Sequence, residues 1–264
     1  MPRTNASLSA SVNDRVGTSS VTAALCLGRG PTVEPVGWGT HGVIMSTYGL
    51  EILLAYLLGS INGSLVLGRL RGVDIRTQGS GNAGGTNALR TQGRWFALGV
   101  IVIDVAKAWL AVRFVPGVAS GSPSEWLALA CGFAAIVGHV YPIFHDFRGG
   151  KGVATLLGTL LAVSPILLFA VLAVWFLMMF AFGYVGLGSI VATASLPALI
   201  FLGADLGYIG ESARWPWSVF ALACALFVAW THRSNLARMR AGTEPRARRL
   251  WLWGRWRGLS GGAP

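Results

Sequence analysis

Seven apolar stretches alternate with short polar ones along most of the chain. They cover residues 47–68, 95–115, 124–144, 153–164, 166–182, 186–203 and 217–231. A bilayer-spanning helix needs about 20 mostly apolar residues, so these are the candidate spans. The stretch 153–164 ends at Ser164-Pro165, where proline disfavours helix at the preceding residue and predicts a break. At about 1.5 Å rise per residue it falls short of a ~30 Å hydrocarbon layer unless it extends past its apparent ends.

Charge gives the spans a direction. The 69–94 segment carries Arg69, Arg71, Arg76, Arg90 and Arg94 against Asp74, and the 145–151 segment carries Arg148 and Lys151. The tail adds Arg233, Arg238, Arg240, Arg246, Arg248, Arg249, Arg255 and Arg257 against Glu244. Residues 116–123 hold no charge, and 204–216 hold Asp205, Glu211 and Arg214. Basic loops stay in the cytoplasm, so 69–94, 145–151 and the tail are expected inside. An odd number of crossings between 151 and 210 then requires 153–164, 166–182 and 186–203 to be three separate elements. The expected fold is an all-α polytopic membrane protein with seven spanning helices, N-terminus outside and C-terminus cytoplasmic.

Composition agrees. Of 264 residues, 53% are hydrophobic and 12% charged, against about 25% charged in soluble domains. The net charge of +11 sits largely in short segments beside apolar runs, which points to an anionic leaflet rather than to nucleic acid. Cys26, Cys131 and Cys224 are far apart without a CxxC, and the four histidines, His41, His139, His145 and His232, are scattered. No disulfide framework or metal site is expected. Residues 1–44 read as a disordered extension or a misassigned start, with 45–244 as the membrane domain. Residues 245–264 form a basic tail whose Trp251, Trp253 and Trp256 suit an interfacial anchor.

Three polar segments fall on the same cytoplasmic side: QGSGNAGGTNALR (78–90), GHVYPIFHDFRGGKGVAT (138–155) and THRSNLARMRAGTE (231–244). In the first, Gly79, Gly81, Gly84 and Gly85 let the backbone approach a ligand, and successive N–H groups make an anion nest. Ser80, Asn82, Thr86 and Asn87 add donors, and Arg90 adds a fixed cation suited to phosphate. A flexible turn-rich loop is the plainer alternative. In the second, Gly150-Lys151-Gly152 places a mobile ammonium between glycines, but it is not a Walker A loop: His145 stands where its first glycine belongs. In the third, His232, Asn235 and Arg238 recur every three residues on one helix face. Asp104 and Lys107, three apart within a span, are expected to form a buried ion pair. The candidate acids and bases are His139, His145, His232, Asp146 and Glu244.

These segments, with IDVAKAWLAV (103–112), resemble in order and spacing the motifs of the bacterial membrane glycerol-3-phosphate acyltransferases that use acyl phosphate, the PlsY type. The resemblance covers about residues 50–245. It implies seven spans, a cytoplasmic-facing site in the bacterial inner membrane, and transfer of an acyl group from acyl phosphate to the sn-1 hydroxyl of glycerol 3-phosphate. The products are lysophosphatidic acid and phosphate, with no cofactor and no metal. Acyl phosphate, glycerol 3-phosphate and membrane lipid are the implied partners, with no nucleic acid, and the chain is expected to act as a monomer. The resemblance implies catalytic roles for Ser80, Arg90, Lys151, His232 and Asn235. Phosphate binding falls to Gly79, Ser80, Gly81, Asn82, Gly84, Thr86, Asn87, Arg90, Gly150, Lys151 and Gly152. Support falls to Asp104, Lys107, His139, Ser189 and Glu244.

The chemistry is coherent: an acyl phosphate is already activated, so an enzyme need only position two anions and stabilise an oxyanion. Either His232 or the substrate's own phosphate takes the hydroxyl proton. No histidine has aspartate five positions on, so the HxxxxD acyltransferase pattern is absent. The chain departs from the family where proline usually follows GSI, here Asn62, and where alanine usually precedes threonine, here Gly85. A basic residue and two hydroxyls of the family are replaced by Gly183, Gly186 and Gly188. The alternatives are a phosphate-compound transporter, which should carry polar groups on both sides, and a phosphatidyltransferase, which needs clustered aspartates.

Overall fold

The computed structural model describes residues 38–247, with side chains from Ser46 onward. The chain divides into two compact units, Met1–His41 and Gly42–Pro264; the second is the subject below. The expectations for most of the amino-terminal extension, for Cys26, and for Trp251, Trp253 and Trp256 lie outside the described residues.

Every regular element among the described residues is helical. The α-helices are α1 (Trp38–Gly59), α2 (Gly63–Leu70), α3 (Gly85–Gln92), α4 (Arg94–Phe114), α5 (Glu125–Val140), α6 (Val153–Val163), α7 (Pro165–Phe182), α8 (Val185–Ala194), α9 (Leu196–Asp205), α10 (Glu211–Thr231) and α11 (Arg233–Arg240). Four elements are long and apolar enough to cross a bilayer: α4, α7, α10, and the 125–145 segment that holds α5. The pairs α1–α2 and α8–α9 each qualify as one span with a bend, of 45° and 40°.

Both bends correct the expectation of continuous helices over 47–68 and 186–203. At the first, Asn62 leaves helical geometry (φ −80°, ψ 120°) and its side chain caps α2. At the second, Pro197 in the first turn of α9 lacks the N–H that would continue the ladder from α8. The expected break at 164 is present: Ser164 is extended, ends α6 after 11 residues, and caps α7 through Leu167 N–H.

Two clusters hold the bundle. One joins Leu129 and Ile136 of α5 to Leu156 and Leu160 of α6, Val171 of α7, Ile200 of α9 and Cys224 of α10. The other is built of small residues, Ala55 of α1, Ala108 and Ala111 of α4, and Cys131 and Ala135 of α5. Small side chains let helices approach without a water-driven core. The helices cross closely where α4 meets α6 and α1 meets α5: a Cβ at Gly158 would overlap the Val105 carbonyl, and one at Gly59 the Ala135 carbonyl. The outer faces are apolar: Phe169, Leu177, Leu222 and Leu226 are all well exposed. Exposed apolar side chains on every long helix are what lipid contact requires.

Buried carboxylates and amides appear at both ends. Glu51 of α1 is fully buried and accepts the N–H groups of Ala119 and Ser120, each at 2.8 Å. It pins the 115–123 turn to the end of the bundle opposite Asn62.

Candidate active site

The first polar loop is held from inside. Ile75, Ala88, Phe96, Ala97 and Val100 pack beneath it. Asn87 is buried and uses its whole amide on the loop, accepting from Ser80 N–H (2.9 Å) and donating to the carbonyls of Gln78 (3.0 Å) and Ile75 (3.2 Å). Gly84 then opens α3 with no side-chain cap, so its first N–H groups remain available to an anion.

The second loop folds back on the end of α5. Asp146 and Phe147 take left-handed φ of 57° and 55°, which reverses the chain. Gly149 N–H then bonds Val140 O (3.0 Å) and Gly150 N–H bonds His139 O (3.1 Å). Arg76 of the first loop donates to His145 O at 3.0 Å and pairs with Asp74 at 2.9 Å, so it is already engaged. Gly152 starts α6 at φ 85°, again without a side-chain cap.

Below the loops lies a buried polar cluster. Asp104 Oδ1 pairs with Lys107 Nζ at 2.9 Å and accepts Gly63 N–H at 3.0 Å. Lys107 Nζ also lies 2.9 Å from His139 Nδ1 and donates to Ile61 O at 3.0 Å. The expected ion pair is present, and His139 completes it rather than facing open solvent. The cluster ties the α1–α2 break to α4 and α5 directly under both loops.

The third segment closes the site. Lys151 Nζ donates to Asn235 Oδ1, Asn235 Nδ2 donates to Glu244 Oε1 at 2.6 Å, and Arg238 Nε donates to Glu244 Oε2 at 2.7 Å. Thr231 Oγ1 donates to Lys151 O at 3.1 Å. A lysine in the second loop is thereby fixed by a helix 84 positions later. Burial and the nearby Arg238 cation push the Lys151 ammonium down to about 8. His232 Nδ1 lies 2.8 Å from Val228 O. A carbonyl can only accept, so Nδ1 carries the proton and Nε2 keeps its lone pair. Burial, with the Lys151 charge, pushes His232 down to about 4, so the ring is neutral at pH 7.

These parts surround a cleft of about 300 Å³ lined by Ser80, Gly81, Asn82, Gly150, Lys151, Thr231, Arg233, Ser234 and Arg238, with Val140 and Tyr141 as its apolar edge. All three segments singled out in the sequence meet there. Not every candidate residue lines it. Asn235, His232 and Glu244 lie directly behind it, and Arg90 is exposed on α3, although its charge is close enough to act on Lys151. Thr86 is half-buried on α3. Ser189 is buried in α8 and bonds Val185 O at 2.9 Å. A Cβ at Gly186 would press on the Asn235 amide.

Sequence reasoning passed over Glu51, though a carboxylate inside an apolar run was a signal. It noted Asn62 only as a departure. Tyr141 and Ser234 carry no mark in the sequence and only the loop geometry selects them, whereas Arg233 stands among the cations of the third polar segment. Among the described residues no three His, Cys, Asp or Glu side chains are grouped to hold a metal ion.

A family model described as glycerol-3-phosphate acyltransferase matches residues 50–242. The glycerol-3-phosphate acyltransferase of Chlorobaculum tepidum is 37% identical, over 76% of this chain and 97% of its own. Glycerol-3-phosphate acyltransferase 2 of Moorella thermoacetica is 43% identical, over 74% and 95%. Crystal structures of PlsY, an integral membrane glycerol 3-phosphate acyltransferase, in glycerol 3-phosphate and lysophosphatidic acid forms, match with a TM-score of 0.65 at 34% and 33% identity. They cover 76% of this chain and 95% of theirs. By this match along residues 50–242, and by relatives aligned over nearly their whole length, the chain belongs to the glycerol-3-phosphate acyltransferase family.

Proposed function

We propose that this chain acylates glycerol 3-phosphate at its sn-1 hydroxyl, with acyl phosphate as donor, and releases lysophosphatidic acid and inorganic phosphate. The observation that carries the reading is the cleft itself: Lys151, Arg233 and Arg238 face a glycine-rich loop across one small space. Such a site suits phosphate-bearing substrates. The relatives' names supply the acceptor, and the cations of the cleft would also receive the phosphate of an acyl phosphate donor.

The hydroxyl oxygen bonds to the acyl carbon, and the bond from that carbon to the phosphate oxygen breaks. Lys151 and Arg238 neutralise the departing phosphate, while Ser80, Gly81 and Asn82 cradle it from the loop; Gly79, Gly84, Thr86, Gly150 and Gly152 shape that cradle. Arg90 draws the anion in from α3. The hydroxyl proton goes to the substrate's own phosphate or to Nε2 of His232, which lies buried behind the cleft and, with a pKa near 4, is a weak base. Asn235 and Glu244 hold Lys151 in place. Asp104, Lys107, His139 and Asn87 support the loops from beneath.

The four longer elements and the two bent pairs supply up to six spans; the seventh in this reading is α6, whose 11 residues reach only part of the way across a ~30 Å layer. The arginine distribution supports an outside N-terminus, with the cleft and C-terminus on the cytoplasmic side of a bacterial inner membrane. Residues 45–244 form the catalytic domain, acting as a monomer.

The test is phosphate release by the purified protein from palmitoyl phosphate, with and without glycerol 3-phosphate, and with palmitoyl-CoA as a rival donor. Acceptor-dependent release with lysophosphatidic acid as product is expected. Turnover with palmitoyl-CoA alone would overturn the donor, and no turnover by folded protein would overturn the reaction.

A further inference from the structure

Asn62 makes more structural contacts than its position suggests. It lies at the break between α1 and α2, fully buried. Its Oδ1 accepts the N–H groups of Ser64 (3.0 Å) and Leu65 (3.2 Å), which caps α2. Its Nδ2 donates to Ala83 O at 3.2 Å and, at 3.5 Å, to His139 O. The partners fix the amide's orientation, since a flipped group would set NH₂ against two N–H donors and its oxygen against two carbonyls.

The two carbonyls belong to opposite walls of the cleft. Ala83 follows Asn82, and its N–H reaches across to Gly149 O at 3.4 Å. His139 O also accepts from Gly150 N–H, next to Lys151. Asn82 and Lys151 both face the cleft. One amide therefore grips the backbone beside each wall, and it is anchored to α2 by its own oxygen.

We propose that Asn62 is a positioning residue that sets the separation between the Ser80–Asn82 loop and the Gly150–Lys151 loop. It touches no substrate and acts through backbone carbonyls. The inference rests on the reading of the cleft as the site where the substrates' phosphates bind.

Asn62→Ser and Asn62→Thr test it. Both keep an oxygen that caps a helix, and both lack a donor long enough to reach Ala83 or His139. Each variant is expected to melt somewhat below the wild type, because the buried Ala83 carbonyl loses its side-chain donor, and to stay folded at the assay temperature in detergent. KM for glycerol 3-phosphate should rise about fivefold, the equilibrium equivalent of one ordinary hydrogen bond, with kcat held within about twofold. Calorimetric titration with glycerol 3-phosphate should show the same loss of affinity. An unchanged KM in folded variants, beside an active wild type, overturns the positioning role. Misfolding of both variants makes Asn62 a structural residue only and overturns it as well. A wild type without acceptor-dependent turnover brings down the reading of the cleft, and the inference with it.

Discussion

The ammonium of Lys151 is held by the side-chain oxygen of Asn235, and Asn235 is held in turn by Glu244 at 2.6 Å. The cation at the centre of the cleft therefore has a fixed address before any substrate arrives. A lysine on a glycine-flanked loop would otherwise sample many rotamers and lose that entropy on binding.

Removal of this cation is expected to be severe. Lys151→Ala should lower kcat/KM about 100-fold, the range for a charge-assisted contact to phosphate. Steady-state phosphate release measures it. A loss smaller than about threefold would place the phosphates away from Lys151.

The same residue sets a pH limit. With Lys151 at about 8 in the free protein, its charge is present below that pH and disappears above it. The kcat/KM profile should therefore descend on the alkaline side near pH 8. Bound phosphate favours the charged form, so the descent in kcat should lie at higher pH. Lys151→Arg keeps its charge and should flatten the alkaline limb. A limb that persists unchanged in that variant belongs to another group.

His232→Asn separates two proton acceptors. The asparagine amide can still donate to Val228 O, and it has no basic nitrogen. If His232 takes the hydroxyl proton, kcat should fall about 100-fold with little change in KM. A fall of only a few-fold would assign the proton to the substrate's phosphate.

Glu51 lies away from the chemistry and should behave differently. Glu51→Ala strips the acceptor from the N–H groups of Ala119 and Ser120, the first exposed and the second half-buried, at a cost of about 1–2 kcal/mol. Thermal unfolding in detergent should show the loss. KM for glycerol 3-phosphate should not move at a temperature where the variant is folded, and a changed KM would mean that the two ends of the bundle are coupled.

The convergence of the three polar segments was legible because each is a dense run of donors, glycines and cations between apolar stretches. The Asp104–Lys107 pair was legible from its spacing. The two bends were harder to read: the polar step at Ser60-Ile61-Asn62-Gly63 and the single Pro197 are each too short to end an otherwise apolar run, so hydropathy reads both runs as continuous. The divided use of polar residues was hidden as well. Asn82 and Asn87 look equivalent in GNAGGTN, yet Asn82 faces the cleft and Asn87 turns inward to hold the loop. Only the packing of Ile75 and Phe96 beneath the loop decides between them.

The shortness of α6 bears on where the reaction lies. It has 11 residues and α7 has 18, and the two pack together through a turn at Ser164. At 1.5 Å per residue they measure about 16 and 27 Å, so from that shared turn α6 stops about 10 Å short of the level that α7 reaches. Lys151 sits at this early end. In the seven-span arrangement proposed above, this difference in length would set the cleft floor deeper in the bilayer than the end of α7. A donor already dissolved in the leaflet can then present its carbonyl sideways, without lifting its tail into water, while the small, water-borne acceptor descends to meet it. By the proposed reaction the product would leave with its tail still among its neighbours.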